Sequence, residues 1–256
     1  MSQLFSFSRF RRLFRRHTAE FLSSYGMAAV VLMGGIALVL GFMAYVTELN
    51  PIVQGLFYTM GLLAAGAIFT CGIFAQFGAP KQATVALTLP ASQLEKYLVG
   101  WVYSFLVFSV VYTACFYLVD WIVVGLDDWH GQPKQLFSLF GPQQKVYTAF
   151  LYYAALHAGA LWGAIFFEKN HFIKTAFAGF LLLLVAVVVN YQAVKSFIGP
   201  GLQMASPFIG VTINDATGFY RVSLPDAQAR WLLVLPLALA ALLWRAAYVR
   251  LTEKQL

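Results

Sequence analysis

Of the chain's 256 residues, 61% are hydrophobic and only 11% are charged, whereas a soluble globular domain carries roughly 25% charged and about 45–50% apolar residues. The charges gather in short stretches between nearly charge-free segments, each about 20 or more residues long. This excludes an ordinary soluble domain, and also a buried α/β sheet, whose apolar runs are only about 4–8 residues. The net charge of +7, from 17 Lys and Arg against 10 Asp and Glu, sits on no polar domain that a nucleic acid would grip, so no nucleic-acid partner is expected.

Residues 1–22 read as a cytoplasmic interfacial amphipathic helix. Leu4, Phe5, Phe7, Phe10, Leu13 and Phe14 recur at three- and four-residue steps, with Arg9, Arg11, Arg12, Arg15 and Arg16 between them. Such a helix sets Phe7, Phe10 and Phe14 into lipid and Arg9, Arg12 and Arg16 against the phosphates of anionic membrane lipids. The plainer alternative is a basic topology signal ahead of the first span. The remainder, 23–256, reads as six spans, roughly 24–46, 52–75, 98–124, 146–168, 172–192 and 229–250. Each is long enough to cross a hydrocarbon layer at ~1.5 Å per residue. The third exceeds that need and is expected to tilt or protrude. Glu168, Lys169, Asn170 and His171 form a tight connection between the fourth and fifth. Pro236 falls within the sixth, where a kink is expected. No cleavable signal peptide is expected.

The connection over 76–97 contains Gly78, Ala79 and Pro80, a mildly polar stretch, then Leu89, Pro90, Ala91 and Ser92. Ser92 is placed to cap a helix beginning at Gln93, with Glu95 completing a capping box. The loop is either a partner-facing element or an ordinary connector. The loop over 125–145 carries Asp127, Asp128, Trp129 and His130, then a short amphipathic stretch at Leu136, Phe137, Leu139 and Phe140. The loop over 193–228 is broken by Gly199, Pro200, Gly201 and Pro207. Beyond them Val211 and Ile213, a turn at Asn214–Gly218, and Phe219, Arg221, Val222 and Leu224 predict a small hairpin.

Lys and Arg fix the orientation. With the N-terminus in the cytoplasm, 12 lie inside and 5 outside, so both termini are expected in the cytoplasm.

The spans hold few chemically active groups. His157, near the middle of the fourth span, is a candidate for contacting a substrate or relaying a proton along a pathway. It is equally readable as a neutral ring bonded to another helix. Asp120 lies near a span end, where interfacial solvation is expected to suffice. Cys71 and Cys115 read as buried free thiols. Gly34, Gly35, Gly61, Gly66, Gly159 and Gly163 permit close helix packing. Trp101, Tyr103, Trp121 and Trp129 read as interface anchors. No HExxH, GxSxG, paired intramembrane carboxylates or Walker-type loop is present in the sequence, so no cofactor, metal site or catalytic residue is assigned and the chain is not expected to be an enzyme.

Two segments carry a resemblance: FSRFRRLFRRHTAEFL (Phe7–Leu22) and KQATVALTLPASQLEKYLVGW (Lys81–Trp101), with TLPAS-x-x-EK as its most specific part. Together with the spacing of the spans, these resemble the permease subunits of ABC transporters of the ABC-2 type. The similarity is to the short six-helix versions found in Bacteroidetes-like bacteria. It implies an all-α polytopic membrane protein with six transmembrane helices and an N-terminal interfacial helix. It also implies a coupling segment, 76–97, that docks on cytoplasmic ABC ATPase subunits through about Phe77–Leu94, marked by Phe77, Lys81, Gln82, Thr88, Leu89, Pro90, Ser92 and Glu95. A second permease subunit, a copy or a related chain, would complete the pathway in a bacterial inner membrane. Family members often place two short re-entrant helices before the sixth span, where this sequence reads as a hairpin. The resulting expectation is a permease subunit moving a hydrophobic or amphipathic substrate outward, its ATP hydrolysed elsewhere. The alternative is a non-transporting membrane scaffold or accessory subunit.

Overall fold

In a computed structural model of the chain the described residues are 5–78, 91–127, 134–141, 146–167, 170–199, 201–206, 210–215, 218–222 and 234–253. They form six helices long and apolar enough to cross a membrane. These are α1 (Phe7–Val46), α2 (Pro51–Gly78), α3 (Gln93–Leu126), α4 (Ala149–Phe166), α5 (His171–Ile198) and α6 (Val234–Glu253). The chain is a multi-pass, largely helical membrane protein.

The amphipathic N-terminal stretch and the first span are one uninterrupted helix of 40 residues. At ~1.5 Å per residue that is about 60 Å, twice the ~30 Å hydrocarbon layer, so the arginine-rich half extends beyond the bilayer. The third span also outruns the expected 98–124, starting five residues earlier at a capped turn. The fifth runs six residues past the expected end, to Ile198. Asn170, before α5, adopts the left-handed conformation at φ 54°, which Asn tolerates better than most residues. Pro236 is the third of the described residues of α6.

The expectation of an all-α chain is corrected between α5 and α6. The hairpin there consists of β2 (Gly210–Asp215) and β3 (Gly218–Val222), antiparallel and closed by the Asp215–Gly218 pair. A third strand, β1 (Leu202–Ser206), adds to β2 in order β1-β2-β3. Leu202 and Ala205 are buried, and Asn190 of α5 donates to the Ala205 carbonyl at 3.2 Å. The glycines and prolines that suggested a broken connection bracket this short strand.

The helices pack around two main apolar clusters. One, far from the termini, joins Leu40, Leu49, Tyr58, Tyr112, Phe116 and Tyr153. The other, at the end that carries both chain termini, joins Phe74, Tyr97, Tyr103, Leu161, Ile165 and Leu251, with Phe10, Leu13 and Phe14 packed against it. The most apolar window of α5 has none of its residues buried, as befits a lipid-facing helix. The amphipathic stretch after 134 is not helical. Phe137 plugs into the first cluster against Tyr58, Phe116 and Tyr117, while Phe140 stays exposed. Gln54 holds that loop with its whole amide: Nε2 donates to the carbonyls of Leu49 (2.6 Å) and Gln135 (2.9 Å), and Oε1 accepts from the Phe137 N–H (2.7 Å).

The glycines divide into two groups. A methyl added at Gly66 would run into the Tyr153 ring, and one at Gly163 into the Thr175 hydroxyl, whereas Gly34, Gly35 and Gly159 face open space. Tyr153 is fully buried and cannot swing aside. Gly66→Ala should therefore cost about 1–3 kcal/mol of stability, read as a lower thermal midpoint in detergent, while Gly34→Ala should leave the midpoint of the monomer unchanged.

Candidate functional site

The capping box forms as the sequence indicates. Ser92 accepts from the Glu95 N–H (3.2 Å), and Glu95 Oε2 accepts from the Ser92 N–H (2.9 Å). The same carboxylate does a second job. Its Oε1 accepts from the Ser6 N–H at 2.8 Å, just ahead of α1, and from Arg9 Nε at 3.2 Å, with the Arg9 NH2 group at 3.2 Å. Glu95 thus caps α3 while accepting from the residue that precedes α1. It is closed off from solvent, while the Arg9 side chain is 33% exposed. Such charge-assisted bonds are about twice as strong as neutral ones.

The contact between α1 and α3 continues through aromatic rings. Phe14 stacks on Tyr103 with centroids 4.8 Å apart, and the Tyr103 and Thr18 hydroxyls are hydrogen-bonded. His17 bonds the Tyr25 hydroxyl at 2.7 Å. Arg9, Phe10 and Phe14 are thereby engaged within the protein. Phe7, Arg12 and Arg16 remain exposed, Arg16 beside Glu20 at 3.7 Å. Tyr103, expected as an interface anchor, is instead buried, whereas Trp121 is exposed as an anchor requires.

From α3 a further series of bonds reaches α4 and α6. The Tyr97 hydroxyl donates to the Trp244 carbonyl at 2.9 Å. The Trp244 indole N–H donates to His157 Nδ1 at 3.0 Å, and His157 Nε2 lies 2.8 Å from Ser104 Oγ. The Tyr153 hydroxyl donates to the Ser104 carbonyl at 2.6 Å. Ser104 sits in a π-helical stretch of α3, Val102–Val107, a local widening that often accompanies functional positions.

A serine 2.8 Å from a histidine invites comparison with a nucleophile–base pair, but the protons run the other way. Because Trp244 donates to Nδ1, the remaining ring proton sits on Nε2 and points at Ser104. The Ser104 hydroxyl donates in turn to the Gly100 carbonyl at 2.8 Å. Both side chains are fully buried, so neither base nor nucleophile has access to a substrate. The arrangement holds three helices together and offers no group for bond-making.

Sequence reasoning missed Ser104, Tyr97, Trp244 and Gln54. Their common depth shows only once the helix ends are known: counted at ~1.5 Å per residue from Gln93, Phe166 and Glu253, Ser104, His157 and Trp244 each lie about 15 Å from the same end of their helices. Polar groups at equal depth in a bilayer seek one another. Asp120 also departs from expectation. It is fully buried on the face of α3 shared with Phe116, Val119 and Val124, and both its oxygens lack a hydrogen-bond partner among the described residues. Cys71 is a buried free thiol and Cys115 a half-buried one. Phe77 lies at the end of α2. Lys81, Gln82, Thr88, Leu89 and Pro90, like Trp129, His130, Glu168, Lys169 and Leu224, lie outside the described residues. Among the described residues no group of three or more His, Cys, Asp or Glu could hold a metal ion.

No protein-family model matches the chain, and neither the curated proteins nor the solved structures include a match to it.

Two outcomes follow from the bonding. Glu95→Ala should destabilise the protein by about 2 kcal/mol, and Arg9→Ala by less, because Glu95 retains the Ser6 and Ser92 N–H groups; thermal unfolding in detergent orders the two. His157→Leu leaves the Trp244 N–H unpaired at a cost of about 1–3 kcal/mol. His157→Gln, which still offers a carbonyl, should lose less in the same assay.

Proposed function

We propose that this chain is the permease subunit of an ABC transporter of the ABC-2 type, exporting a hydrophobic or amphipathic substrate with energy from separate cytoplasmic ATPase subunits. The observation that carries the proposal is the position of Glu95. It stands at the exit of the 76–97 connection and ties that exit to the residues leading into α1. The resemblance of the TLPAS-x-x-EK stretch to a coupling segment supplies the other half of the argument.

In this reading the ATPases grip the connection through Phe77, Lys81, Gln82, Thr88, Leu89 and Pro90, and close on binding ATP. Ser92 and Glu95, also expected to dock, are instead engaged in the capping box, with Glu95 buried. The displacement enters α3 at Ser92. Glu95 passes it to α1, Tyr97 to α6, and Ser104 with His157 to α4. No span has to perform chemistry, and ATP hydrolysis takes place in the partner. The pathway forms against a second permease subunit, a copy or a related chain. The excess of Lys and Arg on one side orients both termini to the cytoplasm of a bacterial inner membrane, and the exposed Arg12 and Arg16 face anionic lipid.

Replacing residues 79–90 by a flexible linker of equal length, with Ser92 and Glu95 retained, should preserve membrane insertion while abolishing co-purification of an ATPase. An ATPase recovered in unchanged yield from that variant would overturn the docking assignment.

A further inference from the structure

At the end of the bundle that carries both termini, α4 and α6 leave between them an open groove of about 530 Å³. Its floor is apolar. Trp162 and Phe166 stack with centroids 4.8 Å apart, and Leu242 and Val249 face them from α6. Two arginines of α6 line it, in different states. Arg250 is engaged, paired with Glu253 at 2.9 Å and lying over the Phe166 ring at 5.6 Å. Arg245 also lines the groove and is exposed, and has no hydrogen bond or ion pair among the described residues.

We infer that this groove binds an anionic phospholipid, with the headgroup phosphate on Arg245 and an acyl chain along the Trp162–Phe166 face. A guanidinium beside an apolar surface near a span end has a strong demand for a counter-ion, and its planar fork matches a phosphate. The long Arg245 side chain can snorkel to the headgroup layer, which supplies phosphate, and basic pockets between transmembrane helices are suited to acidic headgroups. The apolar floor selects a lipid over a small anion, because only a lipid covers the rings. This site is separate from the N-terminal arginines and does not depend on the transport reading.

The test uses the full chain reconstituted in nanodiscs of phosphatidylcholine with a minor share of phosphatidylglycerol, with the lipid retained after release read by native mass spectrometry. Arg245→Gln should lower retained phosphatidylglycerol about fivefold. Ala246→Trp, which keeps every charge but fills the groove from an exposed position, should lower it comparably. Arg11→Gln, which removes one exposed charge elsewhere, should leave it unchanged, and excess inorganic phosphate should not compete. Equal losses from Arg245→Gln and Arg11→Gln would reduce the effect to bulk charge and overturn the site. So would undiminished retention in both groove variants, and displacement by inorganic phosphate would overturn the lipid as occupant.

Discussion

A polar group closed off from water, in lipid or in the protein interior, is stabilised where it finds a partner within the protein, since no water is there to replace that partner. In this chain that constraint governs where the helices meet. Glu95 accepts from two backbone N–H groups and one guanidinium. Gln54 uses both ends of its amide. His157 uses both ring nitrogens. Each of these residues is fully buried, and each joins segments far apart in sequence. Apolar packing alone gives helices in lipid little reason to choose one neighbour over another, because the lipid tails are as apolar as the side chains. The buried polar groups therefore specify the arrangement, and the aromatic clusters fill the space it leaves.

Glu95 is the most connected of them. A carboxylate at the third position of a helix is favourable for its own helix through the capping bond and the helix dipole. Here the same side chain also holds the start of α1, so the local signal and the long-range contact reinforce each other. The polar links between α1 and α3 among the described residues, Ser6 and Arg9 to Glu95 and Thr18 to Tyr103, lie at the end that carries the termini. Toward the other end these helices meet through apolar side chains such as Ile36, Leu40, Phe116 and Val119. There Asp120 brings a carboxyl group into the packing without a bonded partner.

The six spans were legible because a bilayer imposes a length and an exclusion of charge that composition alone displays. The capping box was legible because Ser92 and Glu95 lie three residues apart, and a local interaction needs no knowledge of the fold. The hairpin followed from the alternation at Val211 and Ile213. What escaped was whatever depended on depth and facing. Nothing local marks Arg9, among five arginines, as the partner of Glu95. Tyr103 looks like an interface anchor until the helix extends back to Gln93 and rotates the ring onto α1. The strand Leu202–Ser206 has only five residues and exists because β2 and α5 offer it partners. Asp120 falls near a span end by count, and only its position on the helix face buries it.

These distinctions bear on what the molecule can do. The Ser104–His157 contact has the distance of a catalytic pair, but the Trp244 N–H donates to Nδ1 and so leaves the ring proton on Nε2, the nitrogen that faces the serine, while the serine proton is committed to Gly100. A cluster wired in this way resists deformation and has little capacity for proton transfer. It joins the start of α3 to α4 and α6 within about two and a half turns of the point where Glu95 holds α1, so a displacement of that start reaches three other helices through hydrogen bonds. Apolar contacts slide at little cost, whereas a buried hydrogen bond resists being broken by about 1–3 kcal/mol when a partner is left unsatisfied. On the permease reading proposed above, this is the transmission that a driving subunit outside the membrane would need, and it would enter at the capped turn at Ser92.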